Sequence, residues 1–326
     1  NGCRMKVKGA RSADRKLKWT ITDTPFDLSS IIISALNKLQ PGAPGWTYVQ
    51  RIMGEKPIRI SHVSDQTAKS FKSLLDQLST ETRHELDASQ REVFLNCLAA
   101  PSLLGVQGPP GTGKTLTLAF TAEGLARQNK RLVILAPTHQ AVNNALSTIH
   151  RLFPERKLVK SGGNLRTESL NENIPIISPY KLDKVESGTI IGMTFMSAIN
   201  QIMVKDRKVV APNVVIIDEA GQLPLAQGIC TGLSGAGSIL LFGDDRQMPP
   251  IFSAESVDHP LAISIFGQLR KKHPEAIQML NTTYRLNERL CELIGNTFYS
   301  DDNENILRSS EEARDRRLLL ELEEDS

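Results

Sequence analysis

Cysteine is scarce in this sequence and scattered where it occurs. Cys3, Cys97, Cys230 and Cys291 lie far apart with no C-x-x-C pair, which argues against a zinc site or a disulfide framework and points to a reducing compartment. The six histidines are equally dispersed, none at ligand spacing from a cysteine. No apolar run is long enough to span a bilayer and no signal peptide is present, so the expectation is an intracellular protein, cytoplasmic or nuclear, without a membrane partner. A large excess of one charge is also missing. The 39 Lys/Arg and 36 Asp/Glu leave a net charge of +3, which permits a nucleic-acid partner without arguing for one. What is present is ordinary globular material: 40% hydrophobic and 23% charged residues in a chain of 326, enough for two domains or one large domain with insertions. The chain begins at Asn1 rather than methionine, which suggests part of something longer.

The most specific stretch is Gly108-Pro109-Pro110-Gly111-Thr112-Gly113-Lys114-Thr115, a full match to G-x-x-x-x-G-K-[ST]. Glycines let the backbone curl until several N–H groups face phosphate oxygens. Lys114 then reaches the β and γ phosphates, and the Thr115 hydroxyl serves the bridging magnesium. A helix opening at about Thr115 turns the positive end of its dipole on the same anion. The strand-like run Leu103-Leu104-Gly105-Val106 before the loop, and Leu116, Ala119, Phe120 and Glu123 after it, supply the required context. The loop implies a bound nucleoside triphosphate, not its use.

Along the chain, residues 1–18 carry seven Lys/Arg against one acid, Asp14, and Trp19-Thr20-Ile21-Thr22 alternates as a half-buried strand. A helix is expected over 28–39 and a short strand at Ile58-Arg59-Ile60, so residues 1–69 read as a small accessory module. Phe71, Leu74, Leu75 and Leu78 then mark a helix, followed by a second over 91–100. The apolar runs 103–106, 131–135, 189–194, 214–217 and 238–242 read as strands of a parallel sheet buried on both faces. Weakly periodic residues 152–187 read as an insertion. The fold class is therefore α/β, a doubly wound, mostly parallel sheet whose ligands gather at the carboxyl ends of its strands.

Functional side chains fall at those ends. Asp218, after four β-branched residues, suits magnesium held through water, and Glu219 suits the positioning and deprotonation of the attacking water. Gln247, in Gly243-Asp244-Asp245-Arg246-Gln247-Met248-Pro249-Pro250, reads either as a contact to the γ phosphate and that water or as part of a proline-terminated turn. Arg285, in Thr282-Thr283-Tyr284-Arg285, reads as an arginine finger or as one side of a surface salt bridge. Gln90, just ahead of the first strand, has an amide able to donate to and accept from an adenine edge.

The ordered set of Gln90, residues 108–115, 136–145, 192–194, 218–222, 243–250 and Tyr284-Arg285 resembles the superfamily-one helicases of the nonsense-mediated-decay type over roughly residues 86–300. The resemblance implies a RecA-like P-loop ATPase using ATP and Mg2+ over residues 70–275, and the start of a second, incomplete RecA-like domain with an acidic tail over 276–326. By it, Gln90, Gly108, Pro109, Gly111, Thr112, Gly113, Lys114, Thr115, Asp218, Glu219, Gln247 and Arg285 form the ATP site, while Pro137, Thr138 and Thr194 lie along a channel for single-stranded DNA or RNA. It also implies a small β-barrel within residues 1–69, a helical insertion at 152–187 and translocation 5′ to 3′. The chain departs from the family where Leu286-Asn287 replace the usual Met-His, and where the two later motifs of a second RecA-like domain are not found before Ser326. Residues 309–326, with seven acids and three arginines, read as a helix that serves as a linker, an interaction tail or part of the second domain. An ATP-binding switch without turnover therefore stands beside the motor as an alternative. A GTPase is disfavoured, because Asn37-Lys38-Leu39-Gln40 lacks the aspartate of N-K-x-D.

Overall fold

The computed structural model describes residues 4–11, 17–24, 29–59, 63–162, 167–177, 186–204, 211–252, 258–301 and 304–317. The chain opens with an antiparallel hairpin, β1 (Arg4–Arg11) and β2 (Leu17–Thr24), which contains the expected strand at Trp19. Two helices follow, α1 (Ser29–Leu36) and α2 (Trp46–Ile52). Their Ala35, Tyr48 and Ile52 share one apolar cluster with Leu103, Leu135, Ile217 and Leu241 of the central sheet. The helical part of the expected accessory module is thus built onto the sheet. No strand forms over Ile58 and Arg59. The Arg59 N–H instead donates to Ser102 Oγ at 3.0 Å, and Ile60 lies outside the described residues.

Helix α3 (Asp65–Thr82) is capped by the Ser64 hydroxyl, and its Leu75 and Leu78 are buried with Phe71 and Leu74 packed beside them. A reciprocal capping box of Asp87 and Gln90 then starts α4 (Ala88–Leu98). The alternating unit that follows runs β3 (Leu103–Gln107), α5 (Lys114–Arg127), β4 (Leu132–Ala136), α6 (His139–Leu152), β5 (Leu158–Ser161), β6 (Ile176–Ile177), β7 (Ile190–Thr194), α7 (Phe195–Val204), β8 (Val214–Ile217), α8 (Leu225–Ile229), β9 (Ser238–Gly243), α9 (Ile265–Lys272) and β10 (Ile277–Met279).

These eight strands, β3 to β10, form one sheet in the order β10-β3-β9-β8-β4-β7-β5-β6, with every pair parallel. Because side chains alternate along a strand, its central residues divide between two cores. Leu104, Val106, Ile216, Leu240 and Phe242 face one, and Leu103, Val215, Ile217, Ile239 and Leu241 face the other. This is why the sequence shows continuous apolar runs here instead of alternation. The phosphate loop, Asp218, Gly243 and Thr194 all follow carboxyl ends of strands, so the sheet delivers them to one rim.

Two expectations need correction. The helical insertion expected over 152–187 finds no support among the described residues: past the end of α6 they contribute β5 and β6 to the sheet and no helix, while 163–166 and 178–185 lie outside them. The first sheet also extends beyond residue 276, since β10 pairs with β3. After it, β11 (Thr282–Thr283), α10 (Glu288–Phe298), β12 (Ser300–Asp301), β13 (Glu304–Asn305), β14 (Arg308–Ser309) and α11 (Glu311–Arg314) surround a small core of Cys291, Tyr299 and Leu307. The helix expected over 309–326 is confined to α11 among the described residues, and 318–326 lie outside them. Among the described residues no helix is long and apolar enough to cross a membrane.

Candidate nucleotide-binding site

The phosphate loop leaves β3 with the Gly108 N–H donating to the Gly243 carbonyl at 2.9 Å. Gly111 and Gly113 take left-handed backbone at φ +77° and +74°, a conformation costly for other residues. Crowding adds to the requirement: a Cβ on Gly111 would lie 2.3 Å from Arg285 Cβ, and one on Gly113 2.5 Å from Gln90 Nε2. Thr112 is buried, its hydroxyl donating to the Pro109 carbonyl at 2.8 Å. Helix α5 then starts at Lys114 without a side-chain cap, leaving its first N–H groups for an anion.

Lys114 faces two carboxylates. Its Nζ lies 2.7 Å from Glu219 Oε1 and 4.0 Å from Asp218 Oδ1. Asp218 is buried, and burial pushes its carboxyl up to about 6; Lys114 and the Glu219 N–H pull it down while the Glu219 charge pushes it up. Glu219 itself sits in left-handed backbone at φ 54°, with its N–H on Asp218 Oδ1 at 2.9 Å. Such backbone in a non-glycine residue is strained and is characteristic of functional turns. Thr115 stands half-buried one residue after Lys114 and, with Asp218, supplies hard oxygen donors. Among the described residues no group of three His, Cys, Asp or Glu could hold a metal. These two donors fit magnesium, which commonly completes its shell with phosphate and water.

Gln247 is anchored at the same rim, its Nε2 donating to Asp244 Oδ2 at 2.7 Å and to the Gly108 carbonyl at 3.4 Å. Asp244 also accepts from Gln107 Nε2 and from Tyr299 Oη. Opposite, Thr283 Oγ1 donates to the Pro110 carbonyl and the Tyr284 N–H to the Gly111 carbonyl, both at 2.8 Å. This brings Arg285 against the loop. Its side chain is exposed and, among the described residues, its guanidinium has no hydrogen-bond or ion-pair partner, so the salt-bridge alternative finds no support.

Gln90 is 1% exposed. Its Oε1 accepts from the Asp87 N–H at 3.1 Å and its Nε2 donates to the Thr112 carbonyl at 3.0 Å, which leaves one lone pair and one N–H of the amide for an adenine edge. Pro137 and Thr138 follow β4 and Thr194 ends β7, its neighbour in the sheet. They share the rim with the nucleotide residues but stand on other strands. Thr138 is exposed and caps α6, whereas Thr194 is buried with its hydroxyl engaged by Ser197. Sequence reasoning missed Asp244, Gln107, Tyr284 and Tyr299 as site residues. Asp244 and Tyr284 lay inside motifs already singled out; Tyr299 carried no local signal.

A model of the AAA domain family matches residues 90–253. The first curated relatives include the DNA replication ATP-dependent helicase/nuclease dna2 of Schizosaccharomyces pombe, 30% identical over 247 residues, which are 72% of this chain and 17% of that protein. Regulator of nonsense transcripts 1 of Dictyostelium discoideum is 27% identical over 257 residues, 66% of this chain and 19% of that protein. The chain belongs to the AAA domain family. This AAA-domain chain spans less than a fifth of the length of those two relatives. Among solved structures, a complex of arterivirus nonstructural protein 10 (helicase) with DNA aligns over 67% of this chain and 43% of its own, at 15% identity and a TM-score of 0.42.

Proposed function

We propose that the chain is the ATP-hydrolysing core of a motor that moves on single-stranded nucleic acid, DNA or RNA, in the 5′ to 3′ direction. The observation that carries this reading is the meeting of Lys114 with Asp218 and Glu219 at 4.0 and 2.7 Å on the rim that also bears the phosphate loop. Arriving phosphates compete for Lys114 and free Glu219 to take a proton from water. Thr115 and Asp218 would hold magnesium, which would supply charge neutralisation on the phosphates. Gln247 orients the water, Arg285 meets charge developing on the transferred phosphoryl group, and Gln90 faces the base. Pro137, Thr138 and Thr194, at the ends of β4 and β7 beside β8, serve the strand. The stretch after Leu280 belongs to a second lobe, and closure of the lobes couples hydrolysis to movement.

The test is steady-state ATP hydrolysis by residues 1–326 with and without single-stranded DNA or RNA, using Lys114→Ala as the blank. Stimulation by either strand is expected. ATP binding with no stimulated turnover would favour the switch reading instead.

A further inference from the structure

Asp244 is 4% exposed and, among the described residues, forms no ion pair. Four donors share its two oxygens. Oδ1 accepts from Gln107 Nε2 at 3.2 Å and the Arg246 N–H at 3.1 Å, while Oδ2 accepts from Gln247 Nε2 at 2.7 Å and Tyr299 Oη at 2.6 Å. A buried carboxyl without a cation depends on donors of this kind. We propose that Asp244 and Tyr299 are positioning residues that fix which end of the Gln247 amide faces the nucleotide, and so couple the end of α10 to hydrolysis. This rests on the ATPase reading above.

An amide has one donating and one accepting end. With Nε2 committed to Asp244 and to the Gly108 carbonyl at 3.4 Å, the Gln247 carbonyl oxygen is the end left for the reacting centre. A water about to attack phosphorus gives one proton to Glu219 and needs a hydrogen-bond acceptor for its other hydrogen, not a donor. A flipped amide would offer the wrong group to the water and would aim oxygen at a carboxyl oxygen. Three of the four donors come from β3 or the loop after β9, but Tyr299 comes from the end of α10. It is 6% exposed and packed in the small core with Cys291 and Leu307. A displacement of α10 therefore reaches Gln247 through a two-bond chain and needs no contact with the nucleotide.

Tyr299→Phe removes the hydroxyl and keeps the ring that fills the small core. In a chain labelled with 15N only at glutamine, the Gln247 side-chain signal is assigned by its loss in Gln247→Ala. The proposal expects that signal to shift in Tyr299→Phe, and strand-stimulated kcat to fall by about tenfold with KM for ATP within about twofold, the pattern of a lost transition-state interaction. Asp244→Asn, which turns one acceptor into a donor, is expected to shift the same signal and lower kcat further. An unmoved Gln247 signal in Tyr299→Phe, or a raised KM with kcat preserved, would overturn the proposal. A wild-type chain that hydrolyses no ATP with either strand would overturn the ATPase reading alone, and the amide spectrum would then decide whether Tyr299 controls Gln247.

Discussion

Lys114 is the only cation among the described residues within 4.0 Å of either Asp218 or Glu219, and it cannot serve both of them and a triphosphate fully. Nucleotide binding is a competition for one ammonium. Glu219→Gln removes the nearer competitor, so it should stop turnover while tightening ATP affinity by several-fold, since the 2.7 Å ion pair no longer has to be broken. Equilibrium binding with a fluorescent ATP analogue checks this, and unchanged or weaker affinity would contradict it. Lys114→Ala should abolish tight binding in the same assay. Gly111→Ala forces a Cβ to 2.3 Å from Arg285 Cβ at a left-handed position. It should lose nucleotide binding and shift the unfolding midpoint by more than the ~1 kcal/mol typical of a glycine change in relaxed backbone. The phosphate loop was legible in the sequence because its geometry is encoded within eight consecutive residues. Tyr299 was not, because its partner Asp244 stands 55 residues away and nothing near Tyr299 in sequence refers to it.

Helix α5 is more than the base of the loop. Its Glu123, 2% exposed, accepts from Arg127 Nε at 2.7 Å and from Arg156 Nε and Nη2 at 2.7 Å, while Arg127 also grips Glu81 on α3. The cluster ties α3, α5 and the approach to β5 together. Glu123→Ala leaves two arginines without their buried partner and should cost ~3–5 kcal/mol of unfolding free energy, read from the denaturant midpoint. Phe94→Ala in the core beneath should cost a similar ~3–5 kcal/mol by opening a cavity. The strands β3, β8 and β9 were legible because every residue in each is buried, leaving a continuous apolar signature. β10 was not. Its Ile277-Gln278-Met279 is mixed and half-buried, and it is a strand because β3 offers it an edge. β5 and β6 are missed because they are short, four and two residues at the other side of the sheet, too few to show a pattern of their own. Helix α10 hides differently: Leu290, Leu293 and Phe298 are exposed while Cys291 is buried, so apolarity does not mark its inner face.

At the scale of the whole molecule, two apolar cores sandwich one sheet, and the rim of that sheet carries almost every group the sequence singled out. Ligand at the rim should therefore stabilise the entire sheet. With non-hydrolysable ATP and magnesium at a hundredfold excess over Kd, thermal unfolding should be stabilised by ~2.7 kcal/mol in the wild type and by nothing measurable in Lys114→Ala. The sheet was foreseeable as a whole because parallel strands need apolar cover on both faces. The placement of α1, α2 and β10 was not, because each packs or pairs against a surface that exists only once the sheet has formed.

The route by which the chain leaves that sheet has a mechanical meaning. Strand β10 lies beside β3, the Leu280 N–H donates to the Gln107 carbonyl at 2.9 Å, and the Tyr284 N–H is bonded to Gly111. Everything downstream is thus tethered within a peptide unit of the backbone that would wrap the phosphates. On the motor reading proposed above, a nucleotide held here would sit at a fulcrum. Loss of one phosphate would be felt first at Tyr284, and α10 and α11, farther along the same tether, would be displaced more than β11.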